Sequence, residues 1–152
     1  MLVRKMFASF AAVAVAVVAS LTIAAPASAA HAFEADKAVA TSAIPPVCIG
    51  LGSPGGCGFF VSDGDHFFVK DSLSDGHSAA IYWHKYLASS PNTLYRWGSC
   101  VNSLGSGKMG QCNKNFTEGS KVEYKICTFE VGSVVSDVNS YFECGDVWRS
   151  VA

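Results

Sequence analysis

The chain has 152 residues, of which 50% are hydrophobic and 12% aromatic, and its formal net charge is -1. This length and composition fit one folded domain with a hydrophobic core. They exclude a disordered chain, a polytopic membrane protein and a strongly basic nucleic-acid binder. Beyond Ala29 there are nine Lys and Arg against 12 Asp and Glu, so the net charge of this part is -3.

The N-terminal segment has the three parts of a secretory signal peptide. Arg4 and Lys5 precede an apolar run that is short for a membrane span, and the small-residue sequence Ala27-Ser28-Ala29 follows it. We therefore expect residues 1–29 to be a signal peptide, cleaved after Ala29 or Ala30. The alternative, a retained membrane anchor, is disfavoured by the short apolar run. The mature protein is then secreted, with no membrane span.

Residues 30–47 are rich in Ala and end in Pro45-Pro46. They show no hydrophobic period that would anchor them to a core, and we interpret them as a flexible or weakly helical leader. The folded domain is accordingly predicted over residues 48–152.

All the cysteines lie after the export segment. An even number of cysteines in an exported domain predicts disulfides, here three. Each consecutive pair flanks a turn-rich loop, which favours sequential pairing over the other arrangements that six cysteines allow. A structural zinc site is disfavoured, because the sequence has no Cys-x-x-Cys pair. The favoured disulfides are Cys48–Cys57, Cys100–Cys112 and Cys127–Cys144.

After the leader, short apolar segments alternate with Gly-containing turns. The clearest strand is residues 121–126, where alternation places Val122, Tyr124 and Ile126 in the core and leaves Cys127 and Phe129 on the solvent side. The pattern predicts an all-β fold, a small antiparallel β-sandwich or barrel stapled by disulfides. The strand candidates are residues 59–61, 66–70, 78–84, 94–102, 121–126 and 141–151.

Three segments resemble small secreted, disulfide-containing β proteins of high-GC Gram-positive bacteria (actinomycetes), a functionally uncharacterised group. They are Val69-Lys70-Asp71, the Asp75-Gly76 turn with the small-residue strand through Trp83, and Glu118-Gly119-Ser120-Lys121-Val122 leading to Cys127. The resemblance covers roughly residues 67–148. It implies secretion and a β fold, and it implies no catalytic residue.

An acidic cluster is the candidate metal site, formed by Asp63, Asp65, Asp71 and Asp75. An EF-hand is excluded, because Leu73 and Tyr82 stand where oxygen ligands are required. Carboxylates on neighbouring β-turns can still converge on calcium. The competing interpretation, which we favour, is that these residues serve the turns themselves, and that the protein has no cofactor.

Two further sets of side chains are candidates for function. His66 and His77 lie near aspartates and invite a hydrolytic interpretation, although no nucleophile motif accompanies them. Tyr82, Tyr95 and Trp97 are candidates for a binding face, since aromatic rings stack on sugars and anchor protein interfaces. Trp83 shares a strand face with Ala79 and Ile81 and is predicted to be buried.

The sequence favours a non-enzymatic extracellular binding module whose partner is a protein or a cell-wall glycan. Two alternatives stay open. One is a small secreted hydrolase or lytic factor that uses His66 or His77 with a nearby Asp. The other is an extracellular structural or coat protein, which predicts self-association.

Overall fold

A computed structural model describes residues 31–43 and 55–152, which form two stacked β-sheets. A single 3-10 turn, Val138–Ser140, interrupts the strands in this part of the chain. The strands are β1 (Glu34–Lys37), β2 (Val39–Ala40), β3 (Gly56–Val61), β4 (His66–Asp71), β5 (Ser78–Leu87), β6 (Ser90–Asn102), β7 (Met109–Asn113), β8 (Lys121–Phe129), β9 (Tyr141–Phe142) and β10 (Trp148–Val151).

The large sheet has the strand order β1-β6-β5-β8-β10, and β9 also pairs with β8. The small sheet has the order β2-β7-β4-β3. All neighbouring strands are antiparallel except β1 and β6, which are parallel. The predicted all-β fold and antiparallel sandwich are confirmed.

The main core lies between the two sheets. The Trp83 side chain, from the large sheet, is fully buried and stacks on Phe67 from the small sheet, with ring centroids 5.9 Å apart. Val122, Tyr124 and Ile126 line the same core, as their alternation along β8 predicts. The predicted burial of Trp83 is confirmed.

The described disulfides follow the predicted pairing. Cys100–Cys112 joins β6 of the large sheet to β7 of the small sheet, and both residues are buried in the core. It therefore bridges the sandwich, rather than linking paired strands of one hairpin. Cys127–Cys144 is also present. Cys57 is disulfide-bonded, while Cys48, its predicted partner, lies outside the described residues.

A second, smaller core covers part of the outer face of the large sheet. It contains Ala80, Val101, Cys127, Phe129 and Tyr141, with Cys144 packed against it. The predicted alternation of side chains along β8 is correct, since Cys127 and Phe129 lie outside the main core. The expectation that they face solvent is wrong, because the segment 130–147 packs over them.

The prediction of a flexible leader is wrong for residues 34–40. In this segment β1 pairs with β6 of the large sheet, and β2 pairs with β7 of the small sheet. Ala38, between the two strands, is buried in the main core. The anchoring is mostly backbone pairing and ionic contact, which explains why the segment lacks a hydrophobic period.

Two carboxylates attach β1 to the rest of the domain. Glu34 accepts hydrogen bonds from Arg96, with N–O distances of 2.6 and 2.9 Å, and its Oε2 lies 3.1 Å from Nζ of Lys114. Lys114 also contacts Asp36, and its side chain is 4% exposed. Arg96 and Lys114 are thus each paired with a carboxylate at the edge of the core, which offsets the cost of burying their charges.

The predicted signal peptide, residues 1–29, lies outside the described residues. Within residues 31–43 and 55–152, no helix has the length and apolar character that crossing a bilayer would require.

Candidate functional site

The four candidate metal ligands lie in two pairs at opposite ends of β4. Asp63 and Asp65 are in the turn before the strand, and Asp71 and Asp75 are at its other end. A strand of six residues is roughly 20 Å long, so the pairs do not converge. Across the described part of the chain, no group of three or more His, Cys, Asp or Glu side chains is arranged to hold a metal ion.

Three of these aspartates make hydrogen bonds with the backbone. Asp65, in the left-handed region with φ 55°, accepts a 2.7 Å hydrogen bond from the Phe116 amide. Asp71 and Asp75 each accept from the amide two residues later, as in Asx turns. Burial, together with the charge of Asp75, raises the pKa of the Asp71 carboxyl above its ordinary value.

The two candidate histidines occupy different environments. His66 is half-buried beside the Phe68 ring, and it makes no ion pair within the described residues. Nδ1 of His77 lies 3.4 Å from Oε2 of Glu130. The carboxylate beside His77 is therefore Glu130, a residue 53 positions later in the chain, and not the adjacent Asp75.

His77 also lines a depression of about 300 Å³ that contains two hydroxyl groups. These belong to Ser78 and Ser103, whose Oγ atoms lie 3.1 Å apart. No hydrogen bond joins His77 to either serine among the described contacts. The arrangement provides a histidine and a carboxylate but no nucleophile held by that histidine.

Two of the three predicted binding residues come together on the outer face of the large sheet. Trp97 on β6 pairs directly with His84 on β5, and Tyr82 lies two residues before His84 on the same face. Tyr86 continues this row, with its ring centroid 6.5 Å from that of His84. We call Tyr82, His84, Tyr86 and Trp97 the aromatic face; all four side chains are half-buried.

Tyr95 does not join the aromatic face. The pairing of β5 with β6 shifts register between Lys85 and Tyr86, so Lys85 pairs with Arg96 and Tyr86 with Leu94. Tyr95 is the extra residue of this bulge. Its ring contacts the ring of His31 at 4.2 Å and Nζ of Lys85 at 4.6 Å, and Lys85 belongs to the inward-facing row of β5.

The aromatic face borders the part of the outer surface that segment 130–147 covers. Tyr82 stands at the boundary, where its ring packs against Tyr141 of the second core at 5.4 Å and Phe33 at 5.9 Å. These contacts fix the Tyr82 ring on one side. Trp97 is half-buried, and no ring–ring or cation–ring contact of its side chain is described within residues 31–43 and 55–152.

A row of charged side chains on β8 borders the aromatic face. The Glu123 carboxylate accepts a 2.8 Å hydrogen bond from the Tyr86 hydroxyl and a 3.0 Å hydrogen bond from Nε of Arg149. It also lies 3.4 Å from Nζ of Lys121. These three partners hold the pKa of the Glu123 carboxyl below its ordinary value, with the Tyr86 hydrogen bond as the largest cause.

Burial sets the protonation of two rings in the aromatic face. Burial lowers the pKa of His84 below its ordinary value of 6.5, with Glu123 opposing the shift and Lys125 adding to it. Burial raises the pKa of the Tyr82 hydroxyl. At neutral pH His84 is therefore uncharged, with one ring nitrogen that donates and one that accepts a hydrogen bond.

A shallow notch opens between β5 and β8, with a volume of about 140 Å³. Pockets that enclose small molecules usually have volumes of about 300–1,000 Å³. The notch is too small for a buried cofactor, but it suits one substituent of a ligand that lies on the surface. Its lining residues are Tyr82, His84, Glu123, Tyr124, Lys125 and Val147.

Sequence reasoning did not assign Glu123 and Lys125 to this surface. The alternation of β8 did place Lys121, Glu123 and Lys125 on one face. It could not show that β5 lies beside β8, because strand order depends on contacts distant in sequence. The register pairs Tyr82 with Lys125 and His84 with Glu123.

Comparison with known proteins gives no match to a protein-family model, a curated protein or a solved structure.

Proposed function

We propose that this protein is a secreted, non-enzymatic binding module that uses the aromatic face to hold a glycan outside the cell. The observation that carries the proposal is the set of four half-buried rings on adjacent strands, beside the part of the outer face that segment 130–147 covers. Flat rings on a rigid sheet suit the apolar faces of sugars. Fixed rings also lose little conformational entropy on binding.

Three features support this proposal over a small-molecule site. The notch is below the usual size of an enclosing pocket, and the rings lie on strands instead of mobile loops. The disulfides Cys100–Cys112 and Cys127–Cys144 hold the sheets and the covering segment in place. Disulfides are typical of proteins that act in oxidising compartments, which agrees with the predicted export.

The test is a co-sedimentation assay with insoluble polysaccharides and purified cell walls, followed by affinity measurements on any ligand found. Trp97→Ala should weaken binding at least tenfold, which corresponds to about 1.4 kcal/mol. Tyr95→Ala is the matched control, because it removes an exposed ring from the same strand at a position outside the aromatic face, and it should leave affinity unchanged. Equal losses in both variants, or no glycan binding by the wild type, would contradict the proposal.

A second candidate function, hydrolysis, has one observation in its favour. His77 and Glu130 form a histidine–carboxylate pair beside a depression that also contains Ser78 and Ser103. An activity screen with chromogenic esters and peptides would test it. A turnover abolished by both His77→Ala and Glu130→Gln would support this function, and a His77→Ala variant with undiminished turnover would remove it.

A further inference from the structure

We propose that the aromatic face selects an acidic glycan, and that Lys125 pairs with the carboxylate or phosphate of the sugar. This inference rests on the proposed glycan-binding function. It adds the chemical class of the ligand and names a residue that determines specificity, and its tests separate the two proposals.

The central observation is an ammonium group without a carboxylate partner at the edge of the notch. Lys121 and Arg149 both pair with Glu123. Lys125 lines the notch, yet it forms no ion pair with any residue in the described parts of the chain. Its Nζ lies 5.4 Å from the centroid of the Tyr82 ring, and this is its only described side-chain contact.

The charge of the surrounding surface favours an anion. The outward-facing side chains of β5, β6, β8 and β10 include three basic groups, Lys121, Lys125 and Arg149, and one carboxylate, Glu123. This local excess of positive charge contrasts with the net charge of -3 expected after signal-peptide cleavage. Within these four strands the outward-facing groups carry an excess of positive charge, which favours an anionic ligand.

The geometry assigns a separate role to each group. Trp97 offers a half-buried ring for stacking, and neutral His84 can exchange hydrogen bonds with a sugar hydroxyl. Lys125 stands across the register from Tyr82, and its long side chain can leave the Tyr82 ring to meet an acidic substituent in the notch. A sugar stacked on the rings would thus place its acidic group beside the unpaired ammonium.

The same observations disfavour a nucleic acid as the ligand. Nucleic-acid binding needs many phosphate contacts along a basic surface, whereas this face has a single lysine without a carboxylate partner among the described residues. An acidic peptide is the other class of anion, and flat half-buried rings beside a small notch fit a sugar better than a peptide backbone. Poly-glutamate is therefore included as an arm of the test.

The experiment measures the affinity of the secreted, disulfide-bonded protein for four polymers at low and at high salt. Polygalacturonate carries carboxylates, a phosphomannan carries phosphates, a neutral glucan of matched length carries neither, and poly-glutamate carries charge without sugar. We expect at least one of the two acidic glycans to bind about tenfold or more tightly than the neutral glucan. Salt should reduce this difference by screening the ion pair.

The diagnostic variant is Lys125→Gln, with Lys108→Gln as the matched control. Lys108 is an exposed lysine in the turn between β6 and β7. Lys125→Gln should abolish the preference for acidic over neutral glycans. Lys108→Gln should alter neither. Circular dichroism and the unfolding midpoint establish that both variants are folded.

Each outcome separates the two proposals. Equal affinity for acidic and neutral glycans, or a preference that survives Lys125→Gln, would overturn the acidic-glycan inference and leave the glycan-binding function standing. Lys125-dependent binding of poly-glutamate without binding of any glycan would overturn both and assign an acidic protein partner. Binding to none of the four polymers or to cell walls would likewise remove both.

Discussion

The disulfide between the sheets should contribute more to stability than the one under the covering segment, although the loops they close are similar in length. Cys100 and Cys112 are 12 residues apart in sequence, and Cys127 and Cys144 are 17 apart. Loop-closure entropy gives about 3 kcal/mol for each. Removing a buried sulfur adds a cavity cost of ~1 kcal/mol.

Burial distinguishes the two disulfides. Both Cys100 and Cys112 are buried in the main core, whereas Cys127 is buried and Cys144 is only partly so. We therefore expect the double substitution Cys100→Ala/Cys112→Ala to lower the free energy of unfolding by ~5 kcal/mol, and Cys127→Ala/Cys144→Ala by ~4 kcal/mol. The first loss equals the whole stability of many small domains.

Urea unfolding followed by tryptophan fluorescence measures both variants against the wild type. The Cys100→Ala/Cys112→Ala variant should be partly unfolded in buffer, and the other variant should unfold cooperatively at a reduced midpoint. A loss below about 1 kcal/mol for the first variant, or a larger loss for the second, would refute the assignment of Cys100–Cys112 as the bridge through the main core.

Three further predictions follow from the ion pairs, the titrating groups and the N-terminal strands. Glu34→Gln should cost about 1–2 kcal/mol, because the buried Lys114 then keeps one carboxylate partner instead of two. Burial opposes the shift, but the hydrogen bonds and charges of Arg96 and Lys114 lower the pKa of Glu34 below its ordinary value of 4.5. The stability that Glu34 provides is therefore fully present above pH 4.5 and is lost as the pH falls through the pKa of Glu34 in the folded protein. The acid unfolding curve of the Glu34→Gln variant should lack this pH-dependent contribution. His84 should titrate below 6.5 in NMR spectra, so glycan affinity should be constant from pH 7 to pH 8, and a midpoint above 6.5 would contradict its buried position. A protein that begins at Thr41 should unfold at a lower temperature than one that begins at Ala30, since it exposes the edges of both sheets; equal midpoints in calorimetry would show that β1 and β2 add nothing to stability.

The parts of the fold that depend on local pattern could be predicted from the sequence. The alternation along β8 placed Val122, Tyr124 and Ile126 in the core, and the spacing of the cysteines gave two pairings that the structure confirms. These features depend on residues within one strand or one loop. Side-chain period and loop length are sufficient for them.

The errors concern contacts between segments distant in sequence. Residues 34–40 were expected to be flexible, because their anchors are Arg96 and Lys114, more than 60 residues away. Cys127 and Phe129 were expected to face solvent, because the alternation along β8 turns them away from the main core and does not show that segment 130–147 packs over them. A period-two pattern identifies the face of a strand, but not what packs against that face.

The candidate site was predicted only in part, because it also depends on contacts between segments distant in sequence. Tyr82 and Trp97 lie on one face as the prediction of an aromatic surface requires, but the bulge in β6 places Tyr95 elsewhere. Lys125 entered the site only through the register of β5 with β8. A bulge or a cross-strand neighbour leaves no local signal in a single sequence.

The most direct test of the glycan-binding proposal is an NMR titration of the isotope-labelled protein with the glycan that it retains in co-sedimentation. The account predicts saturable shifts of the Trp97 indole and of amides in β5 and β8 around His84 and Lys125, with His77 and Glu130 unaffected. Shifts centred on the His77 depression, or shifts absent from the Trp97 indole at saturation, would contradict it.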